Sequence, residues 1–192
     1  MTPRSILCAL ALLASTSAFA ALKAGDTAPA FSATASLAGK PFSYSLKESL
    51  ARGPVVVYFY PSAFTAGCNI EAHEFSSKAE QFAAAGASVI GVSLDSVERL
   101  NAFSADPDYC ADKLAVASDG DGRIARSFGL RVSGAQRGAT DTRGKEIDHG
   151  FTERTTFVVK RDGTVLAAVG GVSPEENVAQ TLALVRKLSA AR

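Results

Sequence analysis

Cys68 is the residue of this chain best placed to do chemistry, and its neighbours say which chemistry. It stands in Tyr58-Phe59-Tyr60-Pro61-Ser62-Ala63-Phe64-Thr65-Ala66-Gly67-Cys68-Asn69-Ile70-Glu71. The run Val55 to Tyr60 is β-branched and aromatic without alternation, which predicts a strand covered on both faces. Pro61 stops it, and the stretch from about Thr65 to Ala85 is rich in Ala, Glu and Lys, which predicts a helix ended by Gly86. Cys68 then falls in the first turn of that helix. Unpaired amides and the positive end of the helix dipole favour a thiolate there, so its pKa is expected to fall. A thiolate is the nucleophile that reduction of a peroxide requires. Thr65 is able to turn its hydroxyl toward the same pocket and to bond both sulfur and a peroxide oxygen. Pro61 stiffens the loop and shields the sulfur from bulk water.

The other reactive types are few. Of three cysteines, Cys8 lies in an N-terminal apolar run, which leaves Cys68 and Cys110. In an exported chain two such residues form a structural disulfide by default, and only the setting of Cys68 argues otherwise. His73 and His149 are lone histidines without ligand spacing, so packing roles are expected and no metal site. Asp119-Gly120-Asp121-Gly122 lacks the later glycine and glutamate of a calcium loop and reads as a turn with a helix cap.

These residues need a scaffold, and the order of elements supplies one. The first twenty residues stand apart: Arg4, the apolar run Ile6 to Ala14 and Ala18-Phe19-Ala20 form the pattern of a secretory signal peptide. Cleavage after Ala20 leaves 21–192 as one domain. No later stretch is long and apolar enough to span a bilayer, so no membrane is expected after cleavage. Of the 20 Lys+Arg only Arg4 falls before the cleavage site, and none of the 19 Asp+Glu does. The mature chain is therefore balanced and lacks the basic footprint of a nucleic-acid binder.

Lys23 to Gly39 reads as a Gly/Ala/Ser-rich entry to a short strand, Phe42 to Leu46. After the Cys68 helix come a buried strand at Ala87 to Leu94 and a helix capped by Ser96, with Pro107 beyond it. A short strand at Leu114 to Ala117 and a helix holding Ile124 and Phe128 follow. Thr155 to Val159 and Val165 to Val169 flank Asp162-Gly163, a hairpin signal. Ser173-Pro174-Glu175-Glu176 opens a final amphipathic helix. The order implies an α/β fold: a mixed central sheet with helices on both faces, closed by a C-terminal hairpin plus helix. A thioredoxin-like sheet fits that order.

Pro61-x-x-x-Thr65-x-x-Cys68, running on through Glu71, resembles the active-site motif of the peroxiredoxins. The resemblance extends over nearly the whole mature chain, through Ala28-Pro29-x-Phe31 and Arg154-x-Thr156-Phe157-Val158-Val159, and is nearest to the Q-type (bacterioferritin-comigratory) branch. It implies that Cys68 is the peroxidatic cysteine and that Arg154 reaches it from a late strand, stabilising the thiolate and polarising the peroxide. Pro61, Thr65 and Arg154 would bind the substrate, and Glu71 would anchor a neighbouring backbone or arginine. Ala66 departs from the proline usual in the family, which costs the loop a rigid residue but no functional group. In that branch the resolving cysteine often lies five positions after the peroxidatic one, where this chain has His73. Other members carry it after the next helix, which makes Cys110 the candidate here, in a loop marked by Asp106-Pro107-Asp108 that promises little apolar packing.

The resemblance thus implies a thiol peroxidase that acts on hydrogen peroxide and organic hydroperoxides. A Cys68 sulfenic acid would be resolved by Cys110 to a disulfide and reduced by a thioredoxin-like or other dithiol donor, in a monomer or dimer. It needs no metal, haem or flavin. A bacterial periplasm suits the signal peptide best. A disulfide exchanger on the same fold is the alternative, opposed by the missing Cys-x-x-Cys. A binding module that lost its activity is another, opposed by the intact Thr65, Cys68 and Arg154.

Overall fold

The structure is a computed structural model that describes residues 20–191. Except for Ala20, the expected signal peptide lies outside the described residues, and Cys8 with it. Seven strands form one sheet in the order β2-β1-β5-β4-β3-β6-β7. At its centre β3 (Val55–Phe59), β4 (Ser88–Ser93) and β5 (Ala115–Ser118) run parallel. On one side β1 (Ser32–Leu37) and β2 (Lys40–Ser45) form an antiparallel hairpin, with β1 antiparallel to β5. On the other, β6 (Thr155–Val159) lies antiparallel to β3 and turns at Gly163 into β7 (Val165–Gly170).

Burial follows the strand period of two. Val56, Tyr58 and Tyr60 enter one core, and Val55, Val57 and Phe59 enter the other. The first core is covered by α2 (Ala66–Ser77), α3 (Ala79–Ala84), α4 (Val97–Ala105) and α6 (Pro174–Ala190), through Phe75, Phe82, Phe103 and Val178 among others. The second is covered by α1 (Leu46–Arg52) and α5 (Arg123–Ser127), through Leu46 and Ala125. Helices on both faces and the closing hairpin are as the sequence implies. Asp119 does cap: its carboxylate accepts from the amides of Ile124 (2.9 Å) and Ala125 (2.8 Å). Ser45, Ser96 and Ser173 cap α1, α4 and α6 through their hydroxyls.

Two elements are absent from the sequence reading, and one expectation is corrected. The second half of the entry segment is itself a strand, β1, paired residue for residue with β2. The stretch after Ser45 is the helix α1, which sequence reading passes over. The helix expected from Thr65 to Ala85 breaks at Lys78. Just before the break, the Ser77 hydroxyl donates back to the Glu74 carbonyl (3.0 Å), and the Ser76 hydroxyl lies 3.0 Å from the His73 carbonyl while it shares its one proton with the Tyr109 carbonyl, so both compete with the helical ladder. The bend lets α3 lie on β4 and packs Phe82 against Phe75 with tilted rings, 5.6 Å between centroids.

Candidate active site

Strand β3 ends at Phe59, and the chain leaves it through Tyr60 and the half-buried Pro61 into the loop before α2. Parallel β4 ends beside it, so the loops after both strands share one edge of the sheet, where α/β folds gather their sites. Register delivers the partner from the other side. Phe59 pairs with Thr155 on antiparallel β6, which sets Arg154 opposite the exit of β3.

Cys68 stands in the first turn of α2, 1% exposed. Thr65 occupies the N-cap position with extended backbone, but its hydroxyl donates to the Ser62 carbonyl (2.8 Å) rather than capping. The first helical bond is Asn69 N–H to the Thr65 carbonyl (2.8 Å), so the amides ahead of it remain without a helical acceptor. Arg154 donates through Nη2 to the Cys68 sulfur (3.3 Å) and through Nη1 to Glu71 Oε2. Gly67 makes room for that guanidinium, since a Cβ there would lie 3.1 Å from Nη2.

Burial dominates the electrostatics. It pushes the Cys68 thiol above its ordinary pKa, while the charge of Arg154 and hydrogen bonds from Thr65, the Ser62 backbone and Arg154 pull it back. The expected net depression is therefore corrected: in this closed pocket desolvation outweighs the cationic and dipolar help. Burial likewise raises Glu71 to about 7 against the pull of Arg154. Glu71 is fully buried, and its Oε1 has no partner among the described residues. Arg154 keeps its charge, because Cys68 and Glu71 outweigh its own burial.

Cys110 lies in the same core cluster as Cys68, and both thiols are free. The stacked rings of Tyr58 and Tyr60 (5.2 Å) belong to that cluster, with hydroxyls that have no partner among the described residues. The expectation of a loosely packed Cys110 loop is corrected. Pro107 and Asp108 are exposed, but Cys110 is 0% exposed. Tyr109 beside it packs on Phe103 (5.6 Å) and Phe64 (5.9 Å). Helix α2 also grips this turn: His73 Nδ1 bonds the Asp108 carbonyl (3.0 Å) and the Ser76 hydroxyl donates to the Tyr109 carbonyl (2.7 Å). Burial, reinforced by the charge of Asp106, drives the Cys110 thiol far above its ordinary pKa. Ala111 and Asp112 after it both have left-handed backbone (φ 49° and 58°), an uncommon state for side chains of their kind.

The structure thus brings Cys68, Thr65, Arg154 and Glu71 together and buries Cys110 in the same core cluster as Cys68. Sequence reading missed the support under Ser62 and Ala63: Asp95, Arg99, Asp141 and His149. Asp95 follows β4 at the sheet edge that carries the Cys68 loop, and a charged residue at the end of a buried parallel strand was the available signal.

Comparison with known proteins gives a consistent picture. Residues 24–168 match the family described as AhpC/TSA. The chain is 31% identical over 173 residues to a chloroplastic peroxiredoxin Q of Sedum lineare, covering 90% of this chain and 82% of that one. Among solved structures, peroxidoxin BcpB of Mycobacterium tuberculosis superposes with a TM-score of 0.71 at 31% identity, over 87% of this chain and 98% of that one. The bacterioferritin comigratory protein of Xanthomonas campestris, described for its alkyl peroxide reduction activity, gives 0.65 at 26% identity, over 83% and 92%.

Proposed function

This chain belongs to the AhpC/TSA family of peroxiredoxins, and from that premise we propose that Cys68 is its peroxidatic nucleophile, with Thr65 and Arg154 binding and polarising the peroxide. Membership makes it a thiol-dependent peroxidase with a hydroperoxide substrate and a thioredoxin-like reductant. The assignment of residues rests on one contact, Arg154 Nη2 at 3.3 Å from the Cys68 sulfur.

The sulfur of Cys68, as thiolate, attacks one oxygen of ROOH. An S–O bond forms as the O–O bond breaks, and the leaving RO⁻ takes a proton to depart as ROH. Arg154 stabilises both the thiolate and the charge that develops on the leaving oxygen, while Thr65 and the free amides of the first turn of α2 hold the oxygens in line. Pro61 lines the approach. Cys68 is left as a sulfenic acid.

Cys110 then resolves it, with loss of water and formation of a disulfide that a dithiol donor reduces by exchange. A buried thiol with so high a pKa is a poor nucleophile where it stands, so the Cys110 turn and the first turn of α2 must open first. The left-handed Ala111 and Asp112 mark where that turn gives way. We further propose that residues 1–20 direct export, most simply to a bacterial periplasm, on the pattern of Arg4, Ile6 to Ala14 and Ala18-Phe19-Ala20. Intact mass of the exported protein tests this, and a species that retains Met1 counts against it. For the catalytic assignment the test is peroxide consumption with a dithiol donor. Cys68→Ser should abolish it, and turnover surviving that substitution would sink the assignment.

A further inference from the structure

A cluster of charge lies beneath the active-site loop, and the peroxidase steps above leave it unused. Asp95 is fully buried. Its Oδ1 accepts from the Ser62 hydroxyl (2.8 Å) and from His149 Nε2 (2.8 Å), and it pairs with Arg99 Nε (2.9 Å). Its Oδ2 accepts from the Ala63 amide (2.7 Å) and the Ser93 hydroxyl (2.7 Å). One carboxylate therefore holds two consecutive residues of the loop that leads to Cys68.

The other nitrogen of His149 is equally committed. Nδ1 lies 2.7 Å from the Gly150 carbonyl. A carbonyl and a carboxylate are both acceptors, and a neutral imidazole has a single N–H. Both contacts hold together only if the ring carries two protons. The charges around it agree. Asp95 faces it from the end of β4. Arg99, on α4, opposes it, but Arg99 is itself shared with Asp141 (2.9 Å), which Arg143 also engages (2.7 Å). Ser62 from the active-site loop and the Phe151 ring (6.1 Å) complete the surroundings. Burial alone would lower the His149 pKa, and the bond to Asp95, its charge and the Gly150 carbonyl outweigh it and hold it above the ordinary value. Asp95 is pulled the other way: burial would raise it, and His149, Ser93 and the Ala63 amide hold it below the usual carboxylate range.

We propose that His149, as the imidazolium, is a positioning residue of the peroxidase: it ties the Asp95 clamp under Ser62 and Ala63 to the Gly150 backbone in the segment that runs into Arg154. The inference rests on the assignment of Cys68 and Arg154 to the peroxide step. Loss of one proton breaks one of the two ties: either the bond to Asp95 goes, or the ring loses the Gly150 contact that orients it, and the Cys68 loop and the Arg154 segment are held together less firmly.

Two measurements on the full-length, reduced protein test this. Nitrogen-detected NMR of His149 should find both ring nitrogens protonated at pH 7. Single-turnover oxidation of Cys68 by hydrogen peroxide, divided by the thiolate fraction of the same sample, should fall roughly 3- to 10-fold as pH rises through the His149 titration, a loss in keeping with a small misplacement of reacting groups. Compared in the Glu71→Gln background, which removes the titration of that acid, His149→Gln should run flat across that range, at the level the protein with His149 reaches at high pH. Asp95→Asn should be slower throughout. Should that buried substitution prevent folding, the His149→Gln profile still decides. A neutral His149 at pH 7, or the same pH-dependent fall in His149→Gln, would overturn the proposal. A wild type that leaves peroxide untouched would instead overturn the peroxidase assignment, and the NMR result stands apart from that outcome.

Discussion

Arg154 Nη2 stands 3.3 Å from the Cys68 sulfur although 86 residues of chain separate them, and Nη1 of the same guanidinium holds Glu71. One cation thus serves both an acid and the proposed nucleophile on a single helix, and the titration of each depends on how its charge is shared.

Removing that cation takes away the largest influence that opposes desolvation of the sulfur. Arg154→Ala should raise the Cys68 pKa further and move the pH–rate curve for peroxide reduction to higher pH. Even where the thiol is fully ionised, the rate should stay roughly 10²- to 10³-fold down, the usual cost of losing one preorganised donor. Stopped-flow oxidation across pH checks this. Wild-type rates in Arg154→Ala would remove the residue from the mechanism.

Glu71→Gln works in the opposite sense. An ionised Glu71 neutralises part of the charge of Arg154, and with its pKa near 7 it does so increasingly above neutrality. Glutamine keeps an acceptor for Nη1 and removes the negative charge, so the Cys68 pKa should fall and the pH–rate curve should shift down. The ultraviolet absorbance of the thiolate, followed against pH, reports the shift directly.

Gly67→Ala should separate stability from rate. A Cβ at this position meets the end of the Arg154 side chain at 3.1 Å and nothing of the backbone. Alanine suits the helix by about 0.5–1 kcal/mol over glycine, so the melting temperature should hold or rise. Displacement of the guanidinium should nevertheless slow Cys68 oxidation. Equal rates would mean that Arg154 has freedom to spare.

Cys110→Ser should consume about one peroxide per chain and then stall as sulfenic acid, which further peroxide converts to sulfinic acid. Peptide mapping without reductant, after one equivalent of peroxide to the wild type, should find the Cys68–Cys110 link. Undiminished turnover in the variant would make this a one-cysteine peroxidase.

Folding stability should fall as pH rises from the acid side through neutrality. Glu71 and His149 both have folded pKa values above their ordinary ones. The contribution of each is complete below its ordinary pKa and is lost as pH rises through the folded one. For Glu71 the window runs from the usual carboxylate range to about 7, and for His149 it begins near the usual imidazole value and extends above it. Denaturant titrations of His149→Gln should therefore lose part of the alkaline decline that the wild type shows above neutrality.

How much of this could be read in the chain depended on where the determining physics was local. The run Val55 to Phe59 and the step through Pro61 to Thr65 and Cys68 carry their own signals, and Asp162-Gly163 marks its hairpin. Strand β1 does not, because Ser32-Ala33-Thr34-Ala35-Ser36-Leu37 has small, weakly patterned residues and becomes a strand through pairing with β2 and β5. The break at Lys78 arises from two serine hydroxyls turning back on the helix, and from where Phe82 must pack. In the site, Cys68 and Thr65 were legible from spacing, and Arg154 from the resemblance. The pKa of Cys68 was not, because it turns on how much water the finished pocket excludes. His149 looked idle in the sequence since its partner Asp95 lies 54 residues away and both its bonds are tertiary or local to the backbone.

If Cys110 resolves as proposed, its depth sets a clock. Opening its turn is a first-order event whose rate belongs to the fold, whereas a second oxidation of Cys68 is first order in peroxide as well. On the proposed cycle, each sulfenic acid is therefore divided between two fates in a ratio that the peroxide concentration controls. At low concentration the turn opens in time and the enzyme survives every cycle. Above the concentration at which the two rates match, each cycle retires a growing share of the molecules, so lifetime in turnovers, rather than speed, becomes the quantity that packing around Tyr109 tunes.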